Sequence, residues 1–222
     1  MVFEGAEGVG KTTQLRRLAD ALDRDGIPHL VVREPGGTPP GEEIRRILLD
    51  HPHDLTPAAE ALLFMASRAE LVSRTIRPAL AAGRVVLLDR FFLSTYAYQV
   101  AGRGLDETLV RAANRLATDG LVPDLTLLLD LPAGEGLARA AHRGAHDRIE
   151  RAGDAFHARV TQAFRQFADE AWQAAHPEAG PVHLVDAGGD AGAVSGRVAG
   201  VLAARWPGTF LSLAASLREV RG

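Results

Sequence analysis

Residues 5–12 constrain the fold more than any other part of the chain. They read Gly-Ala-Glu-Gly-Val-Gly-Lys-Thr, a pattern in which glycines let backbone N–H groups curl around phosphate oxygens. The apolar pair Val2-Phe3 precedes this loop, and an amphipathic helix starting near Thr12 follows it. Strand, glycine-rich loop and helix form the setting that the motif needs. The sequence therefore predicts an anion site at a helix N-terminus.

Lys11 is the only lysine in the chain, and the other 24 basic residues are arginines. A lysine in this loop is a compact charge that can reach the β- and γ-phosphates of a nucleotide, and the next hydroxyl can bind Mg²⁺. Arginine is planar and bulkier and does not replace it. The alternative is a chance glycine-rich turn with a surface lysine. We expect ATP and Mg²⁺ as cofactors, with the ATP-binding residues Gly5, Gly8, Val9, Gly10, Lys11, Thr12 and Thr13.

Short apolar strands alternate with helical segments along the chain. Strands are expected at 29–32, 84–88, 125–129 and 182–185, besides the run before Gly5. The expected helices are 12–24, 42–49, 56–82 with a kink at Pro78, 94–99, 106–118, a short one after Pro132, 155–175 and 191–205. This alternation predicts an α/β fold with a five-stranded parallel sheet covered by helices on both faces.

The chemistry-bearing residues follow the expected strands, where ligands of such sheets bind. They are the loop 5–11, the segment 33–38, the pair Asp89-Arg90, and Asp130. We expect one domain over residues 1–205 and assign no role to the tail 206–222.

Composition excludes several classes of protein. With 46% hydrophobic residues the chain is an ordinary globular protein, and a net charge of −3 gives no basic field for nucleic acid. The absence of cysteine excludes a disulfide framework and a cysteine-ligated metal. No apolar stretch is long enough to span a membrane and no secretory signal is evident. A cytoplasmic location is expected.

Three further stretches narrow the function. They are the run Arg-Glu-Pro-Gly-Gly-Thr at 33–38, Phe64 with Arg68, and residues 89–99 followed by Gly-Arg-Gly at 102–104. Together with the phosphate loop, these motifs resemble the thymidylate kinases over residues 3 to about 205. The resemblance implies a three-layer nucleoside monophosphate kinase fold and transfer of the ATP γ-phosphoryl group to dTMP, giving dTDP.

The residue types in these motifs also indicate a chemistry independently of the resemblance. A carboxylate that ends a buried strand, Asp89, can hold Mg²⁺ together with Thr12. The neighbouring Arg90 can grip an acceptor phosphate bidentately. The alternative is a solvated surface pair.

Phe64 and Arg68 are four residues apart, so they share one helix face. Spacing alone favours a core phenylalanine beside an arginine whose charged end reaches solvent. The resemblance implies instead that they stack on thymine and contact its carbonyl edge. It also implies that Thr95 and Tyr98 read the base and crowd the sugar, although plain helix packing would explain them equally well.

The resemblance adds further acceptor residues and the assignment of a LID segment. It implies that Glu7 faces the 3′-hydroxyl of dTMP and that Pro35 and Gln99 also belong to the acceptor site. Residues 139–154 resemble the family's LID, a segment over the phosphates, although a solvated arginine-rich loop is equally consistent. Because the phosphate loop has no arginine, a LID arginine, either Arg143 or Arg148, is expected to be catalytic together with Lys11 and Arg90. The family is typically homodimeric.

Two other functions compete with this interpretation. Another nucleotide or nucleoside kinase with the same loop would differ in its acceptor. A guanine-nucleotide switch would need an Asn-Lys-x-Asp motif, and Asn114 and Lys11, the only residues of their types, are too far apart to form one.

Overall fold

The computed structural model describes residues 1–51, 53–132, 135, 136, 139, 148, 149 and 151–210. Within them, five parallel strands form the sheet: β1 (Val2–Glu4), β2 (His29–Arg33), β3 (Val85–Asp89), β4 (Thr126–Asp130) and β5 (Val182–Asp186). Their spatial order is β2-β3-β1-β4-β5. Phe3 in the central strand pairs with Asp89, so the loop after β1 emerges beside the end of β3.

Helices cover both faces of this sheet. Among the described residues they are α1 (Lys11–Arg24), α2 (Pro39–Asp50), α3 (Pro57–Leu71), α4 (Arg77–Ala81), α5 (Phe92–Thr95), α6 (Glu107–Thr118), α7 (Asp154–Gln166), α8 (Glu170–Ala175), α9 (Ala191–Arg205) and α10 (Pro207–Phe210). π-helical segments Val72–Ile76 and Tyr96–Gly102 follow α3 and α5, and a 3₁₀ turn spans Pro177–Ala179.

Alternation along the strands creates two cores. Val2, Leu88 and Leu128 face the layer containing α3 and α7. Their neighbours Phe3 and Leu127 face the opposite layer, which contains α1 and α9. Successive strand side chains point to opposite faces, so the three central strands β1, β3 and β4 bury apolar groups on both sides. The predicted three-layer α/β fold is confirmed.

Several predicted boundaries differ from the structure. Helix α2 begins at Pro39 rather than at residue 42, because Thr38 accepts a hydrogen bond from the Gly41 amide and the two prolines fit the first turn. The helix expected at 56–82 changes its hydrogen bonding at Val72–Ile76, before Pro78, which lies in the first turn of α4 where it needs no donor.

Two other predicted helices are divided. The helix expected over 94–99 consists of α5 and the π-helical segment Tyr96–Gly102. The helix expected over 155–175 is interrupted between α7 and α8, where α7 ends at Gln166 with Phe167 as its C-cap and Asp169 precedes α8. Neither interruption coincides with a glycine or proline, the usual local signals for a helix end.

Part of the predicted LID, including Arg143, lies outside the described residues, and so does most of the helix expected after Pro132. Of the tail, only residues 206–210 are described, and Phe210 is buried in the α1–α9 core. Within the described part of the chain, no helix combines the length and the apolar character needed to cross a membrane.

Candidate active site

Residues 5–12 connect β1 to α1 and form the loop that the motif predicts. Gly8 and Gly10 have φ values of 74° and 91°, which side-chain-bearing residues rarely adopt. A Cβ atom on Gly8 would also lie 1.8 Å from the carbonyl oxygen of Gly136. Gly10 is the N-cap of α1 and supplies no side-chain hydrogen bond, so the first-turn amides of the helix have no side-chain cap. Such amides suit a bound anion.

Lys11 lies folded back over the loop. Its Nζ donates to the carbonyl oxygens of Gly5 at 3.0 Å and Ala6 at 2.7 Å, and the residue is 7% exposed. Burial, reinforced by the positive charge of Arg90, lowers the pKa of Lys11 to about 8. The ammonium group therefore sits among the loop carbonyls, next to the amides that suit an anion.

Thr12 and Asp89 form the predicted metal pair. The Thr12 hydroxyl donates to Asp89 Oδ2 at 2.7 Å, joining the first turn of α1 to the end of β3. Thr12 lies close to Asp89 because β1 and β3 pair with Phe3 aligned to Asp89, which brings the loop after β1 beside the end of β3. A hydroxyl and a carboxylate are oxygen donors of the kind that Mg²⁺ prefers.

Arg90 follows Asp89 and is the centre of a polar cluster. Its two terminal nitrogens donate to Ser94 Oγ at 2.9 Å and to Glu7 Oε1 at 2.6 Å. Tyr98 donates to the same Glu7 oxygen at 2.7 Å, and its ring centroid lies 5.2 Å from the guanidinium carbon. Burial by itself would lower the pKa of Arg90. The electrostatic attraction of Tyr98 and Glu7 outweighs burial and raises the pKa of Arg90 above its usual value. Arg90 has a φ of 69°, a conformation that costs energy and is common at functional sites.

Glu4 is a site residue that the sequence analysis missed. It ends β1 with no exposed surface and accepts hydrogen bonds from the amides of Phe91 and Ser94 and from the Ser94 hydroxyl. Because Ser94 in turn accepts from Arg90, Glu4 fixes the backbone and side chain that orient Arg90. The signal available in the sequence was a carboxylate at the end of a buried strand.

Arg68 is buried inside the protein, 1% exposed, so the alternative of an arginine reaching solvent is wrong. Its Nε and one terminal nitrogen donate to Glu34 at 2.8 Å and 2.5 Å. The other terminal nitrogen donates to Thr95 Oγ1 at 2.9 Å and to the side-chain oxygen of Asn114. A further hydrogen bond reaches the Phe91 carbonyl at 3.0 Å. Arg68 thus joins α3 to the ends of β2 and β3.

One cavity of about 310 Å³ collects most of the predicted site. Its lining includes fourteen predicted residues: Glu7, Gly8, Gly10, Lys11, Thr12, Thr13, Pro35, Phe64, Arg68, Asp89, Arg90, Thr95, Tyr98 and Gln99. Gly5 and Val9 do not line this cavity, and both are buried. The sequence analysis gave no individual role to the other lining residues, of which the first two lie in the motif at 33–38: Arg33, Glu34, Arg45, Leu49, Ser94 and Ile149.

Another cavity, of about 220 Å³, also adjoins the loop. It is lined by loop residues, by Arg139 and by the segment after β5: Gly8, Val9, Gly10, Thr13, Gln14, Arg139, Ala187, Gly189, Asp190, Ala191 and Val194. The segment after β5 was also missed, although it follows the carboxyl end of a predicted strand.

Of the two LID arginines expected to be catalytic, the structure describes only one. Arg143 lies outside the described residues. Arg148 is 6% exposed and does not line either of these cavities, because its guanidinium donates to Glu60 Oε2 at 2.6 Å and to the Leu48 carbonyl at 2.9 Å. Within the described residues, Arg148 is therefore engaged by α2 and α3.

Comparison with known proteins agrees with this geometry. Residues 3–183 match the family model for thymidylate kinase. The chain belongs to the thymidylate kinase family. A thymidylate kinase of Carboxydothermus hydrogenoformans is 48% identical over 168 residues, covering 76% of this chain and 83% of that one. Another, from a Synechococcus species, is 48% identical over 207 residues, covering 93% and 95%.

The fold agrees as well. The crystal structure of thymidylate kinase from Ehrlichia chaffeensis superimposes with a TM-score of 0.69 at 30% identity, covering 90% of this chain and 96% of that one. The resemblance stated from the motifs is therefore confirmed at the level of family and fold. The roles of individual residues of this chain are proposed below from the contacts described above.

Proposed function

We propose that this chain transfers the γ-phosphoryl group of ATP to dTMP, giving dTDP and ADP. The observation that carries the proposal is the 310 Å³ cavity, which the phosphate loop and the pair Phe64 and Arg68 line together. Arg90 lines the same cavity beside the loop. A donor site and a base site that share one cavity suit direct transfer between two nucleotides, where positioning and electrostatics supply most of the catalysis.

On the donor side, Lys11 and the amides of the loop hold the phosphates of ATP. Thr12 and Asp89 would hold Mg²⁺, and their paired oxygens fit this ion. The described residues contain no cluster of three His, Asp or Glu side chains able to bind a metal unaided, so the remaining ligands come from phosphate and water. When bound, the ion neutralises charge that develops on the phosphates.

On the acceptor side, Arg90 binds the phosphate of dTMP in line with the donor. Glu7 accepts a hydrogen bond from one terminal nitrogen of Arg90, and the Tyr98 hydroxyl donates to the same Glu7 oxygen. Glu7 also faces the 3′-hydroxyl, as the family resemblance implies. No general base is required, because the accepting phosphate oxygen is already anionic.

The base site is apolar on one side and polar on the other. Phe64 supplies a ring for stacking, and Thr95 and Gln99 supply hydrogen-bonding groups. Arg68 lines the polar side and holds Thr95 in place, because its own N–H groups are donated to Glu34, Thr95, Asn114 and the Phe91 carbonyl. Glu34 fixes the direction of Arg68 and neutralises its charge. This division suits a pyrimidine with a carbonyl edge.

We assign the catalytic LID role to Arg143 rather than Arg148. Glu60 already engages Arg148 in a buried ion pair, and the phosphate loop contributes no arginine. The developing charge on the transferred group needs a cation that arrives from elsewhere.

A homodimer is the proposed assembly. Large apolar side chains are exposed on α3 and α6, which pack together: Leu62 is 63% exposed, Leu109 72% and Leu116 85%. Surface of this kind is suited to burial against a second copy. We place the enzyme in the cytoplasm, in line with the expectation stated from the sequence. Light scattering coupled to size-exclusion chromatography tests the dimer.

The acceptor tests the function. ADP release is measured with dTMP, dUMP, dCMP, dGMP and thymidine, and each product is identified by chromatography. We expect dTMP to give the highest kcat/KM and dTDP to be its product. A higher kcat/KM with another acceptor would assign the chain to a different substrate.

A further inference from the structure

Glu60 is a buried carboxylate in the first turn of α3 that has no place in the reaction described above. It has no exposed surface, and its neighbours in the sequence are alanines and leucines. A carboxylate is buried at such a position only when hydrogen bonds and opposite charge compensate for lost hydration. Its partners therefore indicate what it does.

Three side chains from two segments donate to Glu60: Gln99 and Arg103 from the π-helical segment and its C-cap, and Arg148. Gln99 Nε2 and Arg103 Nε lie 3.0 Å and 3.1 Å from Oε1, and terminal nitrogens of Arg103 and Arg148 lie 3.0 Å and 2.6 Å from Oε2. Both carboxylate oxygens are thus satisfied. Burial by itself would raise the pKa of Glu60, but the hydrogen bonds from Arg103, Arg148 and Gln99 outweigh it and lower the pKa.

Two of these donors connect Glu60 to the acceptor cavity, one directly and one through its neighbours. Gln99 lines it directly. Arg148 also donates through Nε to the Leu48 carbonyl and through its amide to the Leu49 carbonyl, at 2.9 Å and 3.1 Å. These bonds place Ile149 beside Leu49, and both side chains line the cavity. Glu60 does not line the cavity itself, so it can influence the cavity only through Gln99 and Arg148.

We propose that Glu60 is a positioning residue for acceptor recognition, which holds Gln99 and docks residues 148–149 through one carboxylate. This inference rests on the proposed dTMP kinase function. Because the two partners share Glu60, binding of the acceptor base to Gln99 stabilises the docked position of Arg148, and docking in turn favours acceptor binding by the same factor. The donor site is not part of this linkage.

The variant Glu60→Gln tests the proposal, because it keeps the side-chain shape and removes the charge. Glu70→Gln is the matched control, since Glu70 lies on the same helix in a solvent-exposed pair with Arg74. Thermal unfolding, KM for dTMP, Kd for ATP and mass-spectrometric hydrogen exchange of a peptide containing the Arg148 amide are measured for each protein.

We expect Glu60→Gln to raise KM for dTMP about tenfold, the loss typical of a hydrogen bond to a charged group. Kd for ATP should stay within about twofold of the parent value. Saturating dTMP should slow exchange of the Arg148 amide in the parent and in Glu70→Gln, and should leave it unchanged in Glu60→Gln. If Glu60 only supported the fold, Glu60→Gln would lower thermal stability and would weaken the binding of dTMP and of ATP together.

Two results would overturn the inference. One is a Glu60→Gln protein that retains the parent KM for dTMP and the dTMP-dependent protection. The other is an equal loss of affinity for both nucleotides. If Glu60→Gln fails to fold, Arg148→Gln decides in the same assays, because it leaves Glu60 paired with Arg103. A parent protein that forms no dTDP would refute the proposed function instead.

Discussion

Removing the charge of Arg68 should destabilise the whole protein as well as the base site. The variant Arg68→Met keeps much of the side-chain volume and deletes the guanidinium. Glu34 then loses its partner while its side chain remains 3% exposed. The hydrogen bonds from Arg68 to Thr95 and to the Phe91 carbonyl are lost at the same time.

The structure sets the size of this effect. Breaking a buried ion pair by removing one partner costs about 3–5 kcal/mol, because the other charge is left without compensation. Burial already raises the pKa of Glu34 against the pull of Arg68, so the orphaned carboxyl takes up a proton and the loss stays within this range. For a chain of this size the corresponding fall in Tm is about 6–20 °C.

Urea unfolding at one fixed protein concentration measures the loss, since assembly would otherwise change the apparent stability. Arg74→Met is the control. Its pair with Glu70 is exposed, so we expect a change of no more than about 0.5 kcal/mol. The double variant Arg68→Met with Glu34→Gln should recover part of the loss. An Arg68→Met protein that loses less than about 1 kcal/mol would refute the role assigned to this pair.

Three further predictions concern the substrates. Lys11→Ala should lower kcat about 10³-fold or more in the ADP-release assay, and near-parent turnover would contradict the donor site. Because burial lowers the pKa of Lys11 to about 8, kcat/KM for ATP should decline above about pH 8 as the ammonium loses its proton; a flat profile up to pH 10 would contradict this. Phe64→Ala should raise KM for dTMP about tenfold by loss of stacking while KM for ATP is retained, and an unchanged KM for dTMP would place the base elsewhere.

Elements defined by local patterns could be predicted from the sequence. The strands are apolar runs, and the loop at 5–12 carries a motif whose glycines are required by backbone geometry. Phe64 and Arg68 share a face because their spacing matches the helix period. The interruptions of the helices at Val72–Ile76 and after Gln166 were not predictable, because no glycine or proline there marks them.

Residues that act through distant partners were missed. Glu4 meets Ser94 and Glu60 meets Arg148 across 90 and 88 positions of sequence, so no local pattern reveals either contact. Glu34 was recognised within a motif, but its pairing with Arg68 depends on how α3 packs against the end of β2. The available signals were a carboxylate that ends a buried strand, as at Glu4, and a single carboxylate inside an otherwise apolar segment, as at Glu60.

Transfer of label from [γ-³²P]ATP tests the central claim most directly. The account requires that the donor and acceptor sites exchange the phosphoryl group within one cavity. In the presence of dTMP, label should therefore appear in dTDP, with one ADP formed for each dTDP and little inorganic phosphate. Label released mainly as inorganic phosphate, at a rate independent of dTMP, would contradict it.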